Sequence, residues 1–193
     1  MITAEQFKDA WENPSFPIEK FMRKHERLVP IPDELAGLSQ LPEPIRKFMS
    51  ASGLPGSAAP FLSFNERDDT LKTYAGVAQA DARFNRYLVI GSDGGGNMIC
   101  LDDQDSYSVV LLDHDNSNAA DFMNSSVPQL AECLLAYREL VHRTNEENGP
   151  DAYLDGEVPK EVAKWFIDRV TGVDPAALKE GAFWDSASCH YLS

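Results

Sequence analysis

The run Gly91-Ser-Asp-Gly-Gly-Gly96 places four glycines where a loop could wrap a phosphate. A phosphate loop needs a helix opening directly after the glycines, so that its N-terminal amides face the anion. Here Asn97 leads into Met98-Ile-Cys-Leu101, an apolar run of strand type, Asp93 fills the second glycine position of G-x-G-x-x-G, and no Gly-Lys-Ser/Thr follows. The glycines are therefore predicted to reverse the chain between paired strands, Tyr87 to Ile90 and Met98 to Leu101.

The other chemical groupings fail on similar grounds. Asp113-x-Asp115-x-Ser117 has the opening spacing of a calcium loop, but Asn118 stands where the glycine belongs and Asn124 where the bidentate Glu belongs, so a polar turn is predicted. His25, His114, His142 and His190 lack partners at ligand spacing, and the adjacent Cys189 and His190 supply at most half of a zinc site. Asp102 and Asp103 are neighbours, which on a strand point to opposite faces and do not form an acid–base pair; they read as surface turn residues. No G-x-S-x-G is present, and Cys100 sits in apolar company where a thiol is inert. Trp11, Trp165 and Trp184 have no interleaved basic residues of the kind a base-stacking groove carries, and read as core or rim anchors. The residues thus predict a protein that is not an enzyme and holds no metal and no cofactor.

The charge is the next informative feature. A formal net charge of −14 over 193 residues disfavours direct binding of nucleic acid, whose phosphates demand Lys and Arg. From Tyr87 to Tyr137 there is no Lys or Arg, whereas Asp93, Asp102, Asp103, Asp105, Asp113, Asp115, Asp121 and Glu132 fall inside that span. The first fifty residues carry Lys8, Lys20, Arg23, Lys24, Arg27, Arg46 and Lys47. A negative field is expected around the central strands, and it fits either a solubilising surface or a binding face for a basic partner.

Composition sets the frame in which those strands must be held. With 43% hydrophobic and 10% aromatic residues the chain suits one domain with a sizeable core. Cys100, Cys133 and Cys189 are odd in number without a C-x-x-C, and the first two are expected to be reduced and buried. No stretch approaches the ~18 apolar residues of a membrane span, and the N-terminus lacks a basic region followed by an apolar one, so a cytoplasmic protein is expected.

Thr3-Ala-Glu-Gln6 fits a capping box for a short helix bearing Phe7 and Trp11 on one face. A helical piece from Pro17 would carry Ile18, Phe21 and Met22, before Val29-Pro-Ile-Pro32 forces an extended connection. Pro42 to Ser52 reads as a helix with Ile45, Phe48 and Met49 on one side and Gly53 as its left-handed cap. Strands are predicted at Pro60–Phe64, at Leu71–Tyr74 and at Tyr107–Leu112, giving about four or five antiparallel strands with the hairpin. Ser126-Val-Pro-Gln129 repeats the capping-box pattern before the longest helix, whose Val127, Leu130, Leu134, Tyr137 and Val141 must pack on the sheet. Thr144 to Pro150 reads as a polar linker, and a last helix from Pro159 stops at Gly172.

A strand ending in Ile90-Gly91, a turn of Asp and Gly, and a strand ending in Leu101-Asp102 together resemble the central motif of the SUKH superfamily of bacterial immunity proteins. Leu41-Pro42 with its helix, Gly53-Leu54-Pro55, Pro60 to Phe64, the Val-Pro-led helix, Asp174-Pro175 and the late Phe183-Trp184 are similar to its fourth subgroup. Asn97 stands where many members carry an acidic residue. The resemblance implies an α+β fold, a single domain with a central antiparallel sheet flanked by helices, over residues 28–193, with residues 1–27 as an N-terminal helical extension. It also implies an antitoxin that binds and blocks a cognate polymorphic toxin, a nuclease or deaminase. The alternative is an intracellular regulatory scaffold of the same fold without a toxin partner. Under the antitoxin reading Asp93, Asp102, Asp103, Asp105, Asp113 and Asp115 form the partner-binding face, opposed to a basic active-site cleft in the toxin.

Overall fold

The computed structural model describes residues 1–18, 25–35, 37–58, 60–64, 68 and 70–185. Along the first half run α1 (Ala4–Glu12), β1 (Leu28–Val29), α2 (Glu43–Ala51), β2 (Leu54–Pro55), β3 (Ser63–Phe64) and α3 (Tyr74–Ala78). The second half supplies β4 (Tyr87–Ser92), β5 (Met98–Asp102), β6 (Ser108–Asp113), β7 (Ala119–Asn124), α4 (Val127–Asn148) and α5 (Lys160–Val173). The fold is α+β: an antiparallel sheet of order β3-β4-β5-β6-β7, a small β1-β2 pair, and helices around them.

The hairpin forms as the glycines predict, with Tyr87 opposite Asp102 and Ser92 opposite Met98. Gly96 adopts φ +93°, and the Asp93 amide donates to the Asn97 carbonyl to close the turn. Both faces of the sheet are covered, which is why its strands read as nearly continuous apolar runs. Leu88, Ile90, Ile99, Leu101, Val109 and Leu111 join the large core with α4 and α5, while Val89, Cys100, Val110 and Leu112 meet Tyr74, Ala75 and Phe84 on the other side. Ile90 is an inserted residue in β4, since Val89 pairs with Cys100 and Gly91 with Ile99.

Gly91 lies where β3 crosses closest to β4. A Cβ there would stand 2.4 Å from the Ser63 carbonyl oxygen and 2.7 Å from Phe64 Cδ1. Gly91→Ala is expected to destabilise the fold by about 2 kcal/mol, the usual cost of overpacking. A urea titration with an unchanged midpoint would show that β3 moves aside freely.

The capping box at Thr3 closes in full, and Phe7 and Trp11 of α1 are buried in the large core, which the N-terminal residues therefore share. Arg138 of α4 fastens this helix: its guanidinium lies 3.8 Å above the Trp11 ring and donates to the Trp11 carbonyl at 2.9 Å. The helix at Pro42 and its cap also form, Gly53 having φ +64°. The helical piece expected from Pro17 falls on residues 19–24, outside the described residues.

Several boundaries differ from the sequence expectation. Leu71–Tyr74 is not a strand: Leu71 has φ +60°, and Thr73 caps α3 by accepting from the Gly76 amide, so only the Leu71–Val89 and Val89–Lys72 backbone bonds extend the sheet edge there. The strand expected over Pro60–Phe64 shortens to β3, because Ala58 and Leu62 exchange backbone bonds in a local reversal. Tyr107 stays outside β6, held at φ +59° with its hydroxyl donating to the Gln40 carbonyl at 3.3 Å. Thr144 to Asn148 is not a linker but the last stretch of α4, because Asn145 accepts from the Tyr153 amide and Asn148 donates to the Glu157 carbonyl. The second capping box closes by half: Ser126 accepts from the Gln129 amide, while the Gln129 side chain donates instead to the Val173 carbonyl at the end of α5. β7, unforeseen, adds an edge strand.

Cys100 and Cys133 are fully buried and unbridged, and burial pushes the Cys133 thiol up to about 12. A thiolate is the reactive form. In a Cys189→Ser variant, which isolates this pair, a thiol reagent is expected to label neither cysteine until denaturant is added; rapid labelling in native buffer would contradict the burial.

Candidate partner-binding surface

Because strands alternate direction, the hairpin turns alternate ends of the sheet. The β4–β5 turn carries Asp93 and the β6–β7 turn carries Asp113 and Asp115, and these project from one end. The β5–β6 turn carries Asp103 and Asp105 and, with Asp102 at the end of β5, sits at the other. The length of β5 separates the ends by roughly 16 Å. The six aspartates predicted as one face thus form two groups.

At the far end, Asp102 is a correction to the sequence reading. It is 5% exposed, not a surface turn residue, and its carboxylate takes both a 2.7 Å bond from Arg86 Nε and a second bond from Arg86 Nη2. It also accepts from the Gln104 amide at 3.0 Å. A bidentate, largely buried pair of this kind spends the charge internally. Asp103 and Asp105 are exposed, Asp105 accepting from the Ser108 hydroxyl.

At the near end, Asp93 shapes its own turn. Its Oδ1 accepts from the amides of Gly95 at 2.9 Å and Asn97 at 2.8 Å, and Oδ2 accepts from the Asn97 side chain. These amides are the donors a phosphate would need, and they already hold a carboxylate. Asn97 then bridges to the next turn, its Oδ1 accepting from the His114 amide at 3.0 Å. Asp113 accepts from the Asp115 amide at 3.0 Å in the polar turn that the spacing predicted. Asp113, His114 and Asp115 bring donor atoms within 4.8 Å of one another, an arrangement common on acidic surfaces, and no metal is assigned to it.

Beside these turns opens a groove of about 480 Å³, with Asp93, Gly94 and Asp121 along it. Tyr137 from α4, Tyr153 from the loop after it and Trp184 wall it, and half-exposed Phe61 and Leu154 stand at its mouth. The rings form a continuous cluster, with Tyr137 5.8 Å from Tyr153 and 5.7 Å from Trp184, and Phe61 6.5 Å from Tyr153. Asp121 faces the core side of edge strand β7, opposite Leu111, and its carboxylate has no hydrogen bond or ion pair among the described residues. Partial burial, and then the neighbouring Asp113, hold it above the ordinary carboxylate range.

Sequence reasoning left Phe61, Tyr153, Leu154 and Asp121 out of the partner-binding face, although Asp121 counted toward the acidic span. Only Asp121 carried a usable signal, as an acidic residue within an apolar stretch, Ala119-Ala-Asp-Phe-Met123.

The family model of the SUKH-4 immunity protein matches residues 21–189. This chain belongs to the SUKH-4 immunity protein family. No curated protein and no solved structure matches it. Membership makes its role that of an immunity protein, whose partner is a cognate toxin. For a SUKH-4 protein the features that matter are those that recognise another protein: exposed rings, a concave apolar wall and oriented charge. The near end of the sheet brings all of these together, whereas the far end carries charge and the partly exposed rings of Tyr87 and Tyr107. No helix among the described residues is long and apolar enough to cross a membrane.

Proposed function

We propose that this SUKH-4 protein neutralises a polymorphic bacterial toxin, a nuclease or deaminase, by binding over its basic active-site cleft in the cytoplasm. The observation that carries this reading is the charge asymmetry. Fifty-one consecutive residues from Tyr87 to Tyr137 lack Lys and Arg, and within them Asp93, Asp113, Asp115 and Asp121 gather at the end of the sheet that also holds the aromatic groove. An enzyme that grips nucleic acid needs a basic cleft, and a negative face fills it with fast, salt-sensitive association. Asp103 and Asp105, at the far end, add to the overall field without touching the partner.

The experiment takes the toxin domain encoded beside this chain, purifies it in active form, and titrates the immunity protein into its nuclease or deaminase assay. Inhibition should be complete at one equivalent, with the two chains eluting together from gel filtration. Full activity in the presence of excess immunity protein would overturn the reading.

A further inference from the structure

The groove at the near end has walls and charges that together select one kind of side chain. Among the described residues its lining includes no Lys, Arg or His, two carboxylates stand along it, and its walls are mostly ring faces and aliphatic surface. The Asp93 carboxylate is held in one orientation by three hydrogen bonds from its own turn, whereas the Asp121 carboxylate has no hydrogen-bond or ion-pair partner among the described residues. A guanidinium is planar, weakly hydrated and able to stack on rings while donating to carboxylates, and its aliphatic stem covers apolar wall. An ammonium is a strongly hydrated point charge and suits a ring-lined groove less well.

We propose that the groove seats an arginine side chain, with the apolar residue next to it, from a protruding segment of the toxin. This assignment rests on the reading that the chain acts by binding a toxin. The volume exceeds one side chain, which is why the neighbouring apolar residue enters too. A cation placed there also relieves the unfavourable setting of the Asp121 carboxylate, which burial and Asp113 create. The competing explanation for Asp121 is that an inward charge on an edge strand keeps β7 from pairing with other sheets.

The test uses the full chain and two probes, acetyl-Leu-Arg-Phe-amide and its twin with citrulline, which keeps the shape of arginine and removes its charge. The amide resonances of Gly94, Gly95 and Gly156, which border the groove, report binding. The arginine peptide is expected to shift them and to bind about tenfold more tightly than the citrulline twin, a preference that Asp121→Asn reduces severalfold. Phe61→Ala and Leu154→Ala, both at half-exposed positions, should weaken both peptides. Equal affinity for the two peptides overturns the proposal, as does the absence of any shift at about 10 mM peptide. Self-association of Asp121→Asn with the arginine preference unchanged would identify Asp121 as an edge guard and also overturn it. A response seen only after removal of residues 186–193 would make the chain's own end the occupant, with the same consequence. Loss of these peptide effects alongside intact toxin inhibition removes the arginine assignment alone; failure to inhibit the toxin is the separate failure of the immunity reading.

Discussion

Asp174→Ala is expected to lower the stability of the whole chain by about 3 kcal/mol, the upper range for uncovering buried donors. Asp174 is 1% exposed, and its carboxylate accepts from the Ser125 amide at 2.6 Å, the Ser125 hydroxyl at 2.9 Å and the Asn124 side chain at 3.3 Å. Asn124, itself fully buried, accepts in turn from the Trp184 indole at 3.0 Å. One side chain thus joins the end of β7, the entry to α4, the exit of α5 and the C-terminal Trp. Alanine takes the acceptor from the buried Asn124 side chain and unties the part-buried bonds to Ser125, which lies at the surface. For a chain of this size the loss corresponds to roughly 6–12 °C in Tm. A loss of less than about 1 kcal/mol in unfolding free energy by urea titration would mean that water reaches the junction and takes over the bonds.

The second large effect is kinetic, and it separates the two acidic ends. Replacing Asp113, Asp115 and Asp121 together by Asn should slow association with the toxin domain by about tenfold at low salt and flatten its salt dependence. The far-end variant, Asp103→Asn with Asp105→Asn, removes two charges and should change association by less than about threefold, because these charges act only through the long-range field, which salt screens beyond ~10 Å. Asp102 is left out of that comparison because its loss would strip Arg86 of its partner and confound kinetics with stability. Each exposed Asp→Asn change should alter stability by about half a kcal/mol or less. Equal slowing by the two variants would assign the effect to net charge and make neither end the contact face.

How legible these features were in the sequence depends on whether they are local. The glycine hairpin, the Thr3 cap, the Gly53 cap and the burial of Cys100 and Cys133 rest on neighbours within a few positions, and all are present. β7 was missed because Ala119 and Ala120 have weak strand preference and Asp121 breaks the apolar alternation. The end of α4 was misread because Asn145 and Asn148 look like loop residues until the loop they hold is in view. The Arg86–Asp102 pair was within reach, since a hairpin placing Tyr87 opposite Asp102 sets Arg86 beside that carboxylate. The groove was not, because Phe61, Asp121, Tyr137, Tyr153 and Trp184 come from five separate stretches with no spacing to link them.

If protection is delivered from the near end of the sheet, cell survival reads it without intermediate steps. Cells expressing the active toxin domain are supplied with wild-type chain, with the far-end Asp103→Asn, Asp105→Asn variant, or with a near-end variant combining Asp113→Asn, Asp115→Asn and Phe61→Ala, all at matched low expression and with urea midpoints confirmed equal. Wild type and the far-end variant should protect, and the near-end variant should not. Protection by the near-end variant equal to wild type, or its loss in the far-end variant alone, would contradict the account.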